Sequence, residues 1–225
     1  MQQVTVDPMA GGNDNSWFVG DTFIEDIDGD GGVDDIIVAG RKTQPSTIGN
    51  WKNTKLSMLS YENGKLVDKT SQWFSGTENE IMGTEPNVHV ADFFKTGKKD
   101  MFVSHSTYMN HYGPATFFRN TGSNFTKVSI PTANIWSHGS DVGDLNNDGW
   151  TDIVMADLKG PNTTIGINNQ SNGFTTYVDA LGNNGDNRYG GSAVAIGNFM
   201  DNGGNNEVIL TDAQCAVCLL YTSDA

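Results

Sequence analysis

Four short apolar runs divide the chain, and each opens with an acidic residue: DIIVAG from Asp35, DMFVSH from Asp100, DIVMAD from Asp152 and EVILTD from Glu207. Continuous apolar runs of this length, bounded by loop residues, predict buried strands. A polar loop precedes each run. An aliphatic residue stands two positions before each loop's first residue: Ile24 before Asp26, Val90 before Asp92, Val142 before Asp144 and Ile196 before Asn198. The loop starts are about 50 to 65 residues apart, the period of a propeller blade and longer than most helical solenoid repeats.

The segments between these pairs complete the pattern. A third strand is expected near Lys55 to Tyr61, followed by the turn Glu62, Asn63, Gly64 and a fourth strand to about Lys69. The same order recurs as Ala115 to Arg119, the turn Asn120, Thr121, Gly122 and Phe125 to Ile130, and again as TTIGINN from Thr163, the turn Ser171, Asn172, Gly173 and FTTYV from Phe174. Asn and Gly are the residues that hairpin turns demand. Four antiparallel strands per repeat make one blade. The expected fold is all-β, a partial β-propeller over residues 1–213, with blade one at about 17–70, blade two at about 87–131, blade three at about 137–179 and half a blade four at about 192–213. QVTVDP, Gln3 to Pro8, reads as the outer strand of a neighbouring blade. The half blade predicts an open edge on the apolar strand Glu207 to Asp212.

The loops carry the candidate chemistry. In DLNNDGWTD, Asp144, Asn146 and Asp148 alternate along an extended segment, so their oxygens can converge, and Gly149 permits the turn that brings the chain back. Trp150 can offer its backbone carbonyl, and Asp152 closes the set. The corresponding set in DIDGDGGVDD is Asp26, Asp28, Asp30 and the Gly32 carbonyl, with Asp34 and Asp35 both open as the closing ligand because this loop has one extra residue. Such oxygen donors around a glycine turn suit Ca²⁺, and suit Mg²⁺ less, because mixed carboxylate and carbonyl ligands favour a flexible, higher coordination number. An EF-hand needs a bidentate carboxylate at loop position twelve, where this chain has Ile37 and Met155, so that reading fails.

Composition narrows the setting. The chain has 225 residues, 36% of them hydrophobic, with 27 glycines, which allows a substantial core and many turns. Its formal net charge of −14 makes nucleic acid and anionic membrane poor partners. No stretch has the length and apolarity of a transmembrane helix, so no direct membrane insertion is expected. Met1 to Ala10 lacks the basic and apolar regions of a secretory signal, an absence without weight if the natural amino terminus lies elsewhere. The last eight residues, CLLYTSDA from Cys218 to Ala225, resemble a reading frame of a sequencing-library adapter, which predicts arbitrary structure after about Val217 and gives the Cys215 and Cys218 spacing no meaning. A redox CxxC or half zinc site needs a partner motif that is absent.

DIDGDGGVDD and DLNNDGWTD, each entered through an aliphatic residue and left through an aliphatic strand, resemble the FG-GAP/VCBS repeat of integrin α-subunit propellers and bacterial surface proteins. The resemblance covers about residues 3–212. It implies a propeller of about seven blades, here about three and a half, whose remaining blades would come from the same chain. It also implies Ca²⁺ in some hairpin loops and an extracellular or cell-surface role in adhesion or ligand binding. Two loops depart from the pattern. Blade two has Phe94 and Thr96 at ligand positions and Lys98 and Lys99 beside Asp100, so it reads as metal-free. Blade four has Asn198, Asp201, Asn202 and Glu207 shifted by one residue, which predicts weak binding at best.

Catalysis has thinner support. His89, His105, His111 and His138 form no His-x-x-x-His pair and flank no nucleophile elbow, and packed histidines are the commoner case. YMNHY places Tyr108, His111 and Tyr112 together in a blade loop, where aromatic and amide groups can stack on a sugar or anchor a protein. The expected function is a calcium-binding extracellular module for a protein or glycan ligand. The alternative is a propeller enzyme such as a polysaccharide lyase or hydrolase.

Overall fold

The computed structural model describes residues 17–42, 54–76, 78–81, 84–106, 115–128, 137–157, 163–171, 173–178, 191–199, 206–212 and 218–222. QVTVDP and YMNHY, with Tyr108, His111 and Tyr112, lie outside the described residues. Blade one comprises β1 (Trp17–Glu25), β2 (Asp35–Lys42), β3 (Thr54–Glu62) and β4 (Lys65–Asp68), paired antiparallel in that order. Blade two follows with β6 (Thr84–Ala91), β7 (Asp100–Ser106), β8 (Thr116–Asn120) and β9 (Phe125–Val128). Blade three has β10 (Ser137–Gly143), β11 (Asp152–Asp157), β12 (Thr164–Asn168) and β13 (Phe174–Val178). The fourth sheet has β14 (Gly191–Gly197), β15 (Glu207–Asp212) and β16 (Cys218–Thr222). The fold is a partial β-propeller. Among the described residues no helix is long and apolar enough to cross a membrane.

Three features differ from the sequence reading. The two-residue β5 (Glu80–Ile81) adds to the edge of β3, and a single helical turn, α1 (Thr70–Trp73), follows β4. Neither has a periodicity long enough to predict. The third concerns the end of the chain. CLLYT pairs with β15, setting Leu219 and Leu220 opposite Leu210 and Ile209, so Glu207–Asp212 has a strand on each side. That corrects the expected open edge on β15. An unpaired apolar edge templates any segment of suitable propensity, and an apolar, aromatic and β-branched pentapeptide is one.

Alternation along the second strands builds the seams between blades. Ile37 and Ala39 point toward blade two and meet Val88, Val90, Met101 and Val103 in one buried cluster. In β7 the intervening Phe102 faces the other way and joins Phe93, Phe117, Ile153, Met155 and Phe174. In β11 Val154 then faces blade four and packs with Leu145, Ile165 and Val208. Every residue of β11 is buried, as its unbroken apolar run predicts. The turn of α1 delivers Trp73 and Phe74 into the first seam, where their rings lie 5.2 and 5.4 Å from that of Phe125.

The first strands are stitched to one another by hydrogen bonds. The Val88 N–H donates to Asp21 Oδ2 at 2.7 Å, and the Ile196 N–H donates to Asp141 Oδ2 at 2.7 Å. Between blades two and three the Ser104 hydroxyl donates to Ser140 Oγ at 2.7 Å, and Ser140 Oγ lies 2.8 Å from His89 Nε2. Ser104 and Ser140 are buried, so this chain joins blades. Burial lowers the His89 pKa, against the raising influence of Asp141 and Asp21.

Candidate metal centre

The four loops between first and second strands share one frame, fixed by the strand register. Glu25 pairs with Asp35, Ala91 with Asp100, Gly143 with Asp152 and Gly197 with Glu207. Asp35, rather than Asp34, therefore stands in the place of Asp152, and the loops of blades one and four are each one residue longer than the other two. Loop position four is left-handed in the three loops described throughout: Gly29 at φ 79°, Lys95 at 51° and Asn147 at 58°. Position six is left-handed too, at Gly31, Gly97 and Gly149.

In these three loops the first aspartate holds this shape. Asp144 accepts the N–H groups of Asp148 and Gly149 at 3.1 and 2.7 Å. Asp92 accepts those of Thr96 and Gly97, both at 2.8 Å, and Asp26 accepts those of Gly29 and Gly31 at 2.8 and 3.1 Å. Blade two builds the same loop without acidic residues at positions three and five. The backbone conformation is thus set by position one and the left-handed residues, whereas any cation preference resides in positions three and five.

The strand-opening acids form a second structural layer. Asp35, Asp100, Asp152 and Glu207 are all fully buried. Asp35 Oδ2 accepts the N–H groups of Ile27 and Asp28 at 3.1 and 3.0 Å, and Oδ1 accepts the Ser60 hydroxyl at 2.6 Å. Asp152 accepts the N–H groups of Leu145 and Asn168, both at 2.8 Å. Asp100 accepts the Asn120 N–H at 2.9 Å, and Glu207 accepts that of Phe199 at 2.6 Å. Burial pushes Asp100 and Asp152 up to about 6, against the opposing N–H groups.

Two asparagines extend the layer across the seams. Asn120 Nδ2 donates to the Ile27 carbonyl of loop one at 2.9 Å, and Asn168 Nδ2 donates to the Phe93 carbonyl of loop two at 2.8 Å. Sequence reasoning took Asn120 as a turn residue and passed over Asn168. The available signal was an Asn five or six residues ahead of the aromatic that starts the fourth strand, Phe125 or Phe174.

Against this shared frame the loops of blades one and three differ in charge. In loop one, oxygens of Asp26, Asp28 and Asp35 come within 4.8 Å of one another, and among the described residues no other three acidic, imidazole or thiol groups do so. Asp30 Oδ1 and Asp34 Oδ1 flank Gly32, 3.1 and 3.2 Å from where a Cβ would stand. Partial burial, then the carboxylates of Asp35, Asp30 and Asp26, raise the Asp28 pKa despite the Asp30 N–H. Asp34 is raised by desolvation and then by Asp30, Asp35 and Asp26. This donor set, hard, anionic and mutually repelling, fits a divalent cation.

Loop three is quieter. Asp148 Oδ2 accepts the side-chain amides of Asn146 and Gln170, both at 3.0 Å, and Oδ1 accepts the Trp150 N–H at 2.8 Å. Although desolvation opposes it, those hydrogen bonds and the Lys95 charge hold Asp148 below the usual carboxylate range. Asp144, Asn146, Asp148, Trp150 and Asp152 are thus all in one loop, but their polar groups largely satisfy one another. In blade two, Lys98 Nζ donates to the Thr121 carbonyl and Lys99 lies 3.7 Å from Glu25.

The description FG-GAP-like repeat matches residues 92–155, from the first aspartate of loop two into β11. These residues are similar to the FG-GAP-like repeat. The match begins at the start of loop two and runs through loop three into β11, so it takes in both loops and crosses from blade two to blade three. No curated protein matches the chain. Within the matched residues, loop two carries the frame with Phe94 and Thr96 at positions three and five, and loop three carries it with Asn146 and Asp148 there.

Proposed function

We propose that this chain is a calcium-binding, extracellular or cell-surface propeller module that serves adhesion or the binding of a protein or glycan ligand. Loop one is the principal cation site, through Asp26, Asp28, Asp30, the Gly32 carbonyl and one or both of Asp34 and Asp35. Loop three, with Asp144, Asn146, Asp148, Trp150 and Asp152, is the second. The observation that carries this reading is the approach of Asp26, Asp28 and Asp35 to within 4.8 Å in a loop whose backbone blade two reproduces without such a cluster. Asp26 and Asp35 have counterparts in Asp92 and Asp100, whereas Asp28, with Asp30 beside it, exceeds what the shared frame requires and implies a charge to be met. The bound ion would supply that charge and tie the loop to the start of β2.

Further blades of the same chain are the partners we place on the two open faces. Ile24 is 58% exposed where its counterpart Val90 is 7% exposed, and Phe199 is 49% exposed where Ile27, Phe93 and Leu145 are buried. The test of the cation reading is calorimetric titration of the whole chain with Ca²⁺ and with Mg²⁺. The expected result is saturable Ca²⁺ uptake with dissociation constants of about 10⁻⁴ to 10⁻³ M, weaker uptake of Mg²⁺, and loss of the tighter site in Asp28→Asn. An unaltered isotherm in Asp28→Asn would refute the assignment of loop one.

A further inference from the structure

Lys95 belongs to loop two, which has no acidic residue at positions three and five, yet its side chain is spent on the neighbouring blade. Its left-handed backbone, φ 51°, turns it toward blade three. There its ammonium lies 5.0 Å from the centroid of the Trp150 ring, and 3.1 Å from where a Cβ on Gly149 would stand. Gly149 is the residue whose N–H donates to Asp144. A cation thus stands at the rim of loop three, supplied by the protein itself and fastened by a cation–π contact.

We propose that Lys95 is a tethered competitor for the divalent ion at loop three, so that the two calcium loops fill in sequence, loop one first. The inference rests on the calcium reading of the two loops. Loop one has no such competitor among the described residues: Lys69 senses Asp28 and Asp35, but it is ion-paired with Glu62 at 2.5 Å. A divalent ion entering loop three meets a like charge several ångströms away, a repulsion that in high dielectric lowers affinity by about tenfold. The same repulsion would push the ammonium off the Trp150 ring. Occupancy of loop three therefore loosens one tie between blades two and three, and the indole senses the change.

Calcium titrations of the whole chain, followed by heat and by tryptophan fluorescence, test this on the wild type, Lys95→Met, Lys95→Arg and Asp148→Asn. The wild type should show two affinity classes, with the fluorescence change confined to the weaker, and Asp148→Asn should remove that class. Lys95→Met should tighten the weaker class about tenfold and leave the tighter one alone. Lys95→Arg, which keeps the charge and the ring contact, should match the wild type. Equal loop-three affinity in the wild type and Lys95→Met would overturn the proposal, as would weaker binding in Lys95→Met. Uptake of no calcium by either loop is a separate result, which removes the calcium reading and this inference with it.

Discussion

Individual aspartates in these loops have different jobs, and substitution should separate them. Asp28 and Asp30 occupy positions that blade two fills with Phe94 and Thr96 while keeping the loop shape. Asp28→Asn should therefore remove calcium from loop one and leave the melting temperature in chelator within about 2 °C of wild type. Asp26→Ala should behave otherwise, because it strips acceptors from the Gly29 and Gly31 N–H groups; a loss of about 1–2 kcal/mol in chelator is expected from denaturant melts. Asp100 provides a pH test clear of the metal loops. Its folded pKa, about 6, lies above its unfolded value near 3.8, so the native state holds the proton more tightly between those limits. Its contribution is complete below the unfolded value and declines as pH rises through about 6. Asp100→Asn should flatten that fall in stability between pH 4 and 6, measured in chelator, and should leave calcium binding unchanged. Which aspartates bind and which brace could not be read from the sequence, since a carboxylate at a loop end is spelled the same way for both purposes.

At the scale of strands and loops, the apolar runs, their acidic openers and the Asn-Gly turns were legible because each encodes a local preference. Asn63 and Gly64, at φ 50° and 81°, form the two-residue turn that the dipeptide predicts, and the register sets Asp35 opposite Glu25. Contacts between blades were not legible. Asn168 looks like the ordinary end of a strand, yet it connects β12, its own strand-opening Asp152 and the Phe93 carbonyl of another blade. Lys95 looks like a solvated loop lysine. No local pattern marks a residue whose partner lies in the next repeat. Asn168→Ala should leave the buried Phe93 carbonyl without that donor and cost about 1–3 kcal/mol in equilibrium unfolding. An unchanged midpoint would show that the seam does not depend on this bond.

For the whole molecule, repeat units draw stability from their neighbours, so the two outermost faces should differ from the seams. Val90 and Ile24 occupy equivalent positions, one buried against blade one and the other exposed. Val90→Ser should destabilise by about 2–3 kcal/mol, whereas Ile24→Ser should fall within about 0.5 kcal/mol of wild type. Binding of a hydrophobic dye, and self-association in sedimentation, should fall when Ile24 and Phe199 are both replaced by Ser. On the reading proposed above, loop one uses its excess carboxylates to hold Ca²⁺ as part of the propeller. Thermal unfolding of the whole chain, in chelator and in Ca²⁺ at about 100 times the dissociation constant, tests it most directly. Bound Ca²⁺ should add about 2.7 kcal/mol of stability, a rise of roughly 5–10 °C, that is largely lost in the Asp28→Asn, Asp30→Asn double variant. No rise in the wild type, or an equal rise in the double variant, would contradict it.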